Sequence, residues 1–472
     1  MFDLLLQNVR VEDPANAVSG LRDIAIEEGR IAEVGEELSP ARARRALTFE
    51  GNLAIPGIID PHVHVCGDFG HPNGFGMLAR AGVCTALNMA GPTADVLDHL
   101  PAAAGLNIAT LEDATPGRRL GSADPSAGEA AAFVDRALDG GALGVKLLGG
   151  HYPLTPAGSE RVVRAARERG AYAAWHAGTT EHGSDIEGLR EICDLVGDAF
   201  VHVAHVNSYC RGQIRHELEE VIEAQELLER HPALVSESYI AAANGTSFLI
   251  GPDGRLASRN TGVTLHRLGY ADSLAGLERA ILEGRAFVLV RHGEETVRIT
   301  GREARDIWLA AGTDTGGSLD VNPPMSRMAL AVARRKSGAF TVDCLSTDGG
   351  SIPRNVLVSH GLGLVAAGLL SLADYVRKTS WNAARCLGLE SKGHLGVGAD
   401  ADVSILDADR RKAVAVIVGG RVCMMHGYVC GTGGTLIATA QGASHLKARR
   451  LAHRLVDLSG GPLPFRPAEG AA

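Results

Sequence analysis

Short apolar runs of β character recur along this chain, separated by segments in which Ala, Leu, Glu and Arg repeat at helical spacing. The runs at 57–65, 83–90, 107–113, 142–148, 171–177, 200–206, 233–239 and 341–348 read as strands, and 157–169, 183–196 and 216–230 read as helices between them. Apolar strands alternating with crossover helices predict a parallel sheet covered on both faces. Eight such repeats predict an α/β fold of the TIM (β/α)8 barrel type, whose chemistry sits at the C-terminal ends of the strands.

Two flanking segments break this rhythm. Residues 1–55 and 391–435 alternate apolar and polar positions over short stretches, as in Ile24-Ala25-Ile26-Glu27 and Val403-Ser404-Ile405-Leu406. Neither is long enough to bury a sheet alone, so together they predict a small β-sandwich domain built from both termini. The barrel domain then spans 56–390. Within it, 241–343 is too long for a bare loop and contains its own strand-like Ala286-Phe287-Val288-Leu289-Val290, which predicts a lid or subdomain over the barrel mouth. Residues 436–472 read as a C-terminal tail, a helix followed by a mobile end or a subunit contact.

Composition narrows the function classes. The 472 residues are 45% hydrophobic with a formal net charge of -9 and no basic stripe, which argues against nucleic acid as a partner. No apolar run reaches the ~18 residues of a membrane span, and the first residues lack a signal peptide's basic start and apolar core. The expectation is a cytoplasmic protein, away from membranes, that acts on a small molecule as a homo-oligomer. Eight scattered cysteines without a CxxC indicate neither a disulfide framework nor a thiolate zinc site.

Candidate chemistry begins at Asp60-Pro61-His62-Val63-His64. Alternation in a strand puts His62 and His64 on one face, where both imidazoles can grip one cation. Only six of the 46 basic residues are Lys, and Lys146 sits alone within Gly141-Ala142-Leu143-Gly144-Val145-Lys146-Leu147-Leu148. Burial favours neutral lysine, which can take up carbon dioxide as a carbamate and so bridge two metal ions. His176 closes the fifth run. Of His202 and His205 in the sixth, three positions apart, alternation admits only one to the barrel interior, and His205 is nearer the C-terminal end. Asp348, ahead of Gly349-Gly350, is the preferred acidic ligand over Asp314, which lacks a strong preceding strand.

This set of His-x-His, Lys, His, His and Asp on strands one, four, five, six and eight resembles the amidohydrolase superfamily, in its binuclear carboxylated-lysine subtype of hydantoinases, dihydroorotases and isoaspartyl dipeptidase. Gly141-Ala142-Leu143-Gly144 with Tyr152 and Pro156 adds a local likeness to the N-acyl-D-amino-acid deacylases, although the cysteine ligand usual in that branch falls at Ala90 here. The resemblance implies two divalent metal ions, zinc by donor type. His62, His64 and Asp348 would hold one and His176 and His205 the other, bridged by the carbamate on Lys146. It implies cleavage of a C–N amide bond by a metal-bound hydroxide, on an N-acyl amino acid, a dipeptide or a cyclic amide, with Asp348 as base and then acid. Tyr152 is the candidate oxyanion donor, and Asn207, Arg211 and Arg354 are candidate substrate contacts, with Glu237 and Asn244 weaker ones. The alternatives are a deaminase of the same superfamily, with Glu181 as a catalytic carboxylate out of register, or a catalytically inactive structural relative.

Overall fold

The computed structural model describes residues 1–466. Eight parallel strands form a barrel: β1 (Ile58–His64), β2 (Val83–Asn88), β3 (Asn107–Asp113), β4 (Gly144–Leu148), β5 (Tyr172–His176), β6 (Val201–Val203), β7 (Leu234–Tyr239) and β8 (Cys344–Ser346). Each pairs with its successor. Closure comes just after β8, where Gly349 and Gly350 pair with Val63 and His64 of β1. Gly350 has a left-handed φ of +79°, and a Cβ there would stand 2.5 Å from the His64 carbonyl oxygen, so only glycine permits this contact.

Strand alternation divides the side chains between two cores. Ile59, Leu87, Leu111, Tyr172 and Val235 fill the interior, whereas Val145, Leu147, Trp175 and Val203 pack outward with the helices. Each such side chain contributes roughly 1.5–3 kcal/mol by burial. The same parity turns Lys146 inward, between outward Val145 and Leu147, and Glu237 inward with Val235.

Strands from both ends of the chain share a separate nine-stranded sheet, in which Val403–Asp407 pairs antiparallel with Leu53–Pro56 beside Leu4–Asp13. Leu6, Val9, Ile24, Ile405 and Ile417 pack on one face and Leu5, Ala25 and Leu38 on the other.

After β7 the chain builds a four-stranded sheet around Phe248, Leu277 and Trp308. Its hairpin reaches α1 (Asn73–Arg80), where Asn73 Nδ2 donates to Thr296 Oγ1 at 3.0 Å and Arg80 pairs with Glu294 at 3.0 Å. The expected insertion is shorter than 241–343, because helix Pro324–Val332 packs on Glu217–Arg230 and β7 as the crossover helix into β8. The tail also departs from the expected helix. Thr435–Thr439 pairs parallel with β3 and with His453–Val456, since Leu436-Ile437-Ala438 is a fully buried apolar run, and helix is confined to Ala443–Ala448. Arg466 anchors the segment by donating to Asp343 Oδ1 at 2.8 Å. The Gly/Pro/Ala-rich end expected to be mobile falls outside the described residues from 467 onward. Among the described residues no helix is long and apolar enough to cross a membrane.

Candidate active site

The C-terminal ends of the strands converge on a buried group of imidazoles and carboxylates. Ligand atoms of His62, His205 and Asp348 lie within 4.8 Å of one another. Asp348 Oδ1 stands 3.2 Å from His62 Nε2 and 3.0 Å from His64 Nε2. The His176 ring is 4.5 Å from that of His205, and its Nε2 lies 2.7 Å from Ser184 Oγ. Lys146 is fully buried, and its Nζ donates to Met89 Sδ at 3.2 Å. No carboxylate pairs with it at salt-bridge distance among the described residues. Burial lowers its pKa to about 8 against the opposing pull of Glu237 and Asp348.

Two of these residues occupy left-handed backbone, His205 at φ +34° and Asp348 at φ +50°. Such conformations cost on the order of 1–3 kcal/mol each and persist where the surroundings enforce them. At Asp348 the enforcement is visible: its N–H donates to the His62 carbonyl at 2.9 Å, and its Oδ2 is held by Arg354 at 2.6 Å. Burial alone would raise the Asp348 carboxyl, but Arg354 and the neighbouring histidines outweigh it and keep the group well below its ordinary value. Burial drives His62, His176 and His205 well below theirs, so they present neutral rings with free lone pairs. Asp314 is exposed in the insertion.

Glu237 is the residue that sequence reasoning underweighted. From the interior face of β7 its Oε1 accepts from His62 Nδ1 at 2.6 Å and from the His205 backbone N–H at 2.6 Å, while Oε2 accepts from Ser346. The signal was its parity with Val235. His202 and His205 correct the alternation argument as well. Strand β6 ends at Val203, and the left-handed turn at His205 returns that side chain inward. His202 is also interior, bonded to the Tyr172 hydroxyl at 2.7 Å, with its Nε2 3.9 Å from Glu237.

Several expected substrate contacts are already engaged. Arg354 is committed to Asp348 and also donates to the Ala243 carbonyl at 3.2 Å. Asn207 accepts from Ser238 and the Tyr239 N–H, and Arg211 donates to Asn322, Ser208 and Tyr239, so both pin the rim. The Asn244 side chain accepts from the Leu319 N–H within the insertion. Tyr152 is 37% exposed, with its ring 6.4 Å from Phe69. Its neighbour His151 lies deeper, 5.2 Å from the His176 ring and 5.4 Å from Phe69, and burial lowers its pKa to about 4.

The donor set fits divalent cations. His64 Nδ1 and His205 Nδ1 are buried without a hydrogen-bond partner, which is costly unless something else coordinates or orients those rings. His62 has the opposite arrangement: Glu237 holds its Nδ1–H and leaves Nε2 for a metal, as supporting carboxylates do in metal sites. Imidazole and carboxylate donors suit zinc.

Residues 309–423 match the amidohydrolase family profile. A dihydroorotase from Anaeromyxobacter sp. (strain K) is 39% identical over 62 residues, 13% of this chain and 14% of the relative, so the chain covers only a small part of that relative's length. A dihydroorotase from Pelotomaculum thermopropionicum is 26% identical across 89% of this chain and 98% of its own. The solved structure of a D-aminoacylase superposes with a TM-score of 0.64 at 19% identity, over 93% of this chain and 100% of the other.

These matches all fit the amidohydrolase superfamily, and the superposition shows a shared fold. The profile match spans the segment that supplies Asp348, Gly349, Gly350 and Arg354.

Proposed function

We propose that the chain is a metal-dependent amidohydrolase that cleaves a C–N bond other than an ordinary peptide bond in a small N-acyl amino acid, dipeptide or cyclic amide. The observation that carries this reading is the buried convergence of His62, His205 and Asp348 beside a lysine whose amine has only a thioether for a partner. His62, His64 and Asp348 would hold one zinc ion and His176 and His205 a second, with carboxylated Lys146 as a ligand to both. A D-aminoacylase similarly has a binuclear centre, activated by one metal and attenuated by the second.

Bound metals would supply Lewis acidity and an activated water near neutral pH. The protein's own part follows from the contacts. Glu237 fixes the His62 tautomer, and Arg354 holds Asp348 so that Oδ1 faces the histidines. At Oδ1 Asp348 takes the proton of the attacking water and delivers it to the leaving nitrogen. Neutral Lys146 is the group that would bond from Nζ to carbon dioxide with release of one proton, which would supply an anionic carbamate to the metals. Phe69 and His151 wall the mouth, and His151 takes over from Tyr152 as the group best located to donate to a developing oxyanion. The deaminase alternative loses ground because Glu181 is exposed. We read the protein as a cytoplasmic homo-oligomer, a state supported by exposed Leu218 and Ile222 one turn apart on helix Glu217–Arg230 and measurable by light scattering.

The test is a screen of metal-loaded protein against hydantoins, dihydropyrimidines, dihydroorotate, N-acyl-D- and N-acyl-L-amino acids and dipeptides. Turnover of one class, lost on chelation and in Asp348→Asn, is the expected outcome. Turnover indifferent to both treatments refutes the reading.

A further inference from the structure

A second group of metal-binding side chains lies beside the mouth and plays no part in the site above. Cys66 Sγ, an Asp95 carboxylate oxygen and a His99 ring nitrogen all fall within 4.8 Å of one another. Cys66 lies two residues past the end of β1, and the other two lie one helical turn apart on α2 (Thr93–His99). Asp95 and His99 are neighbours on one helix, and the tertiary fold brings the separate Cys66 segment against that pair.

Each member is oriented. The Cys66 residue is completely buried, and its thiol makes no hydrogen bond among the described residues. Asp95 Oδ2 accepts from the Gly67 N–H at 2.6 Å, which ties the carboxylate to the turn that carries the cysteine. His99 Nδ1 lies 2.9 Å from the Asp95 carbonyl oxygen and 3.3 Å from Asp95 Oδ1, and donation to the carbonyl leaves Nε2 as the ring's available lone pair. A backbone carbonyl on one ring nitrogen is the usual way a protein fixes the tautomer of a metal-binding histidine. Glycines keep the turn tight: a Cβ on Gly67 would stand 2.2 Å from the Gly91 carbonyl oxygen. Asp95 and His99 remain partly open, with side chains 36% and 41% exposed, so a cation can enter from solvent.

We propose that Cys66, Asp95 and His99 form a second, independent site for a thiophilic divalent cation, zinc by its donor chemistry. One thiolate, one imidazole and one carboxylate make three of the four tetrahedral positions, and water fills the fourth. On binding, the Cys66 Sγ–H bond breaks, its proton goes to solvent and the sulfur pair is donated to the metal. The spread of up to 4.8 Å exceeds what bonds of about 2.0–2.3 Å allow, so the turn closes slightly on the ion. That turn leads into Gly67–Phe69, whose phenyl ring stands 5.8 Å from His64 and 5.4 Å from His151. Occupancy therefore steadies one wall of the barrel mouth.

Cobalt(II) titration of chelator-treated protein separates this site from the main centre, because the latter contains no cysteine. Wild type is expected to develop a thiolate-to-cobalt charge-transfer band with one cobalt equivalent beyond those taken by the main centre. Cys66→Ser should abolish the band and lose that one equivalent, and His99→Ala, at the end of α2 with a partly exposed side chain, should weaken it at least tenfold in apparent affinity. Asp348→Asn should keep the band. The exposed Cys430 is the control: a band that disappears in Cys430→Ser, persists in Cys66→Ser, or never forms in wild type overturns the proposal.

Discussion

Replacing Glu237 tests whether the carboxylate beneath the histidines tunes the centre or merely fills space. Gln is nearly isosteric, and its Oε1 can still accept from His62 Nδ1 and the His205 N–H, both now at 2.6 Å, while Nε2 donates to Ser346 Oγ. What Glu237→Gln removes is the negative charge. Hydrogen bonds to a charged partner are worth ~1.5–3 kcal/mol against ~0.5–1.5 for neutral ones, so the loss at His62 is about 1–2 kcal/mol. The ring becomes a poorer donor to a metal, and supporting-group substitutions of this kind cost roughly 10–100-fold in metal affinity or activity. Glu237→Gln should fall near the lower figure. Glu237→Leu, which also strands the His205 N–H and the Ser346 hydroxyl, should reach or exceed the upper one. Chelator competition gives the metal affinity, and kcat/KM on the substrate found by screening gives the activity. Wild-type affinity and kcat/KM in both variants would refute the argument.

Lys146→Arg and Lys146→Ala should both be inactive, because neither forms the carbamate, and small carboxylates with added metal should restore part of the Ala variant's activity; wild-type turnover in Lys146→Arg makes the lysine structural. Asp348→Asn should keep the fold by circular dichroism yet lose turnover, while Asp314→Asn, altered at an exposed position of the insertion, should stay within a factor of two of wild type. Gly150→Ala should abolish catalysis without unfolding, since its Cβ would stand 2.2 Å from His176 Nε2, and near-normal rates would mean that His176 has room to move. Burial lowers the Lys378 pKa from 10.5 to about 7, so between those values the unfolded chain holds a proton that the native chain does not. Stability should therefore rise with pH by about 1.4 kcal/mol per unit in that window. Urea unfolding should show this slope in wild type relative to Lys378→Met, and parallel profiles would contradict it.

The barrel was legible because its strands are continuous apolar runs, which the chain can satisfy only by burial on both faces. Less visible were features that depend on where a strand stops. His205 lies two residues beyond β6, so a period-two argument carried through to it assigns the wrong consequence to His202. Helix Pro324–Val332 was hidden inside an apparent insertion because sequence alone does not say which core its Leu330 joins. Arg354 is a candidate substrate contact by sequence, yet its guanidinium is occupied by an acid six residues away.

Lysine scarcity shows how far such a signal reaches. Of the six lysines, Lys146, Lys378 and Lys392 are all buried, so rarity and burial alone do not mark chemistry. Their partners differ. Lys392 lies 2.9 Å from Asp400 and 2.5 Å from Asp402, and those carboxylates outweigh burial and raise its pKa, which fixes it as a charged strut. Lys378 Nζ donates to the Ala331 and Val342 carbonyls at 2.7 Å each, which ties a helix to the base of the barrel and leaves the amine no room to react. Lys146 alone has a thioether that cannot neutralise it, neutral imidazoles around it and carboxylates beyond pairing distance. A charged amine there is poorly compensated, and conversion to an anionic carbamate among histidines that would carry cations removes the mismatch. What singles out the reactive lysine is therefore the incompleteness of its contacts.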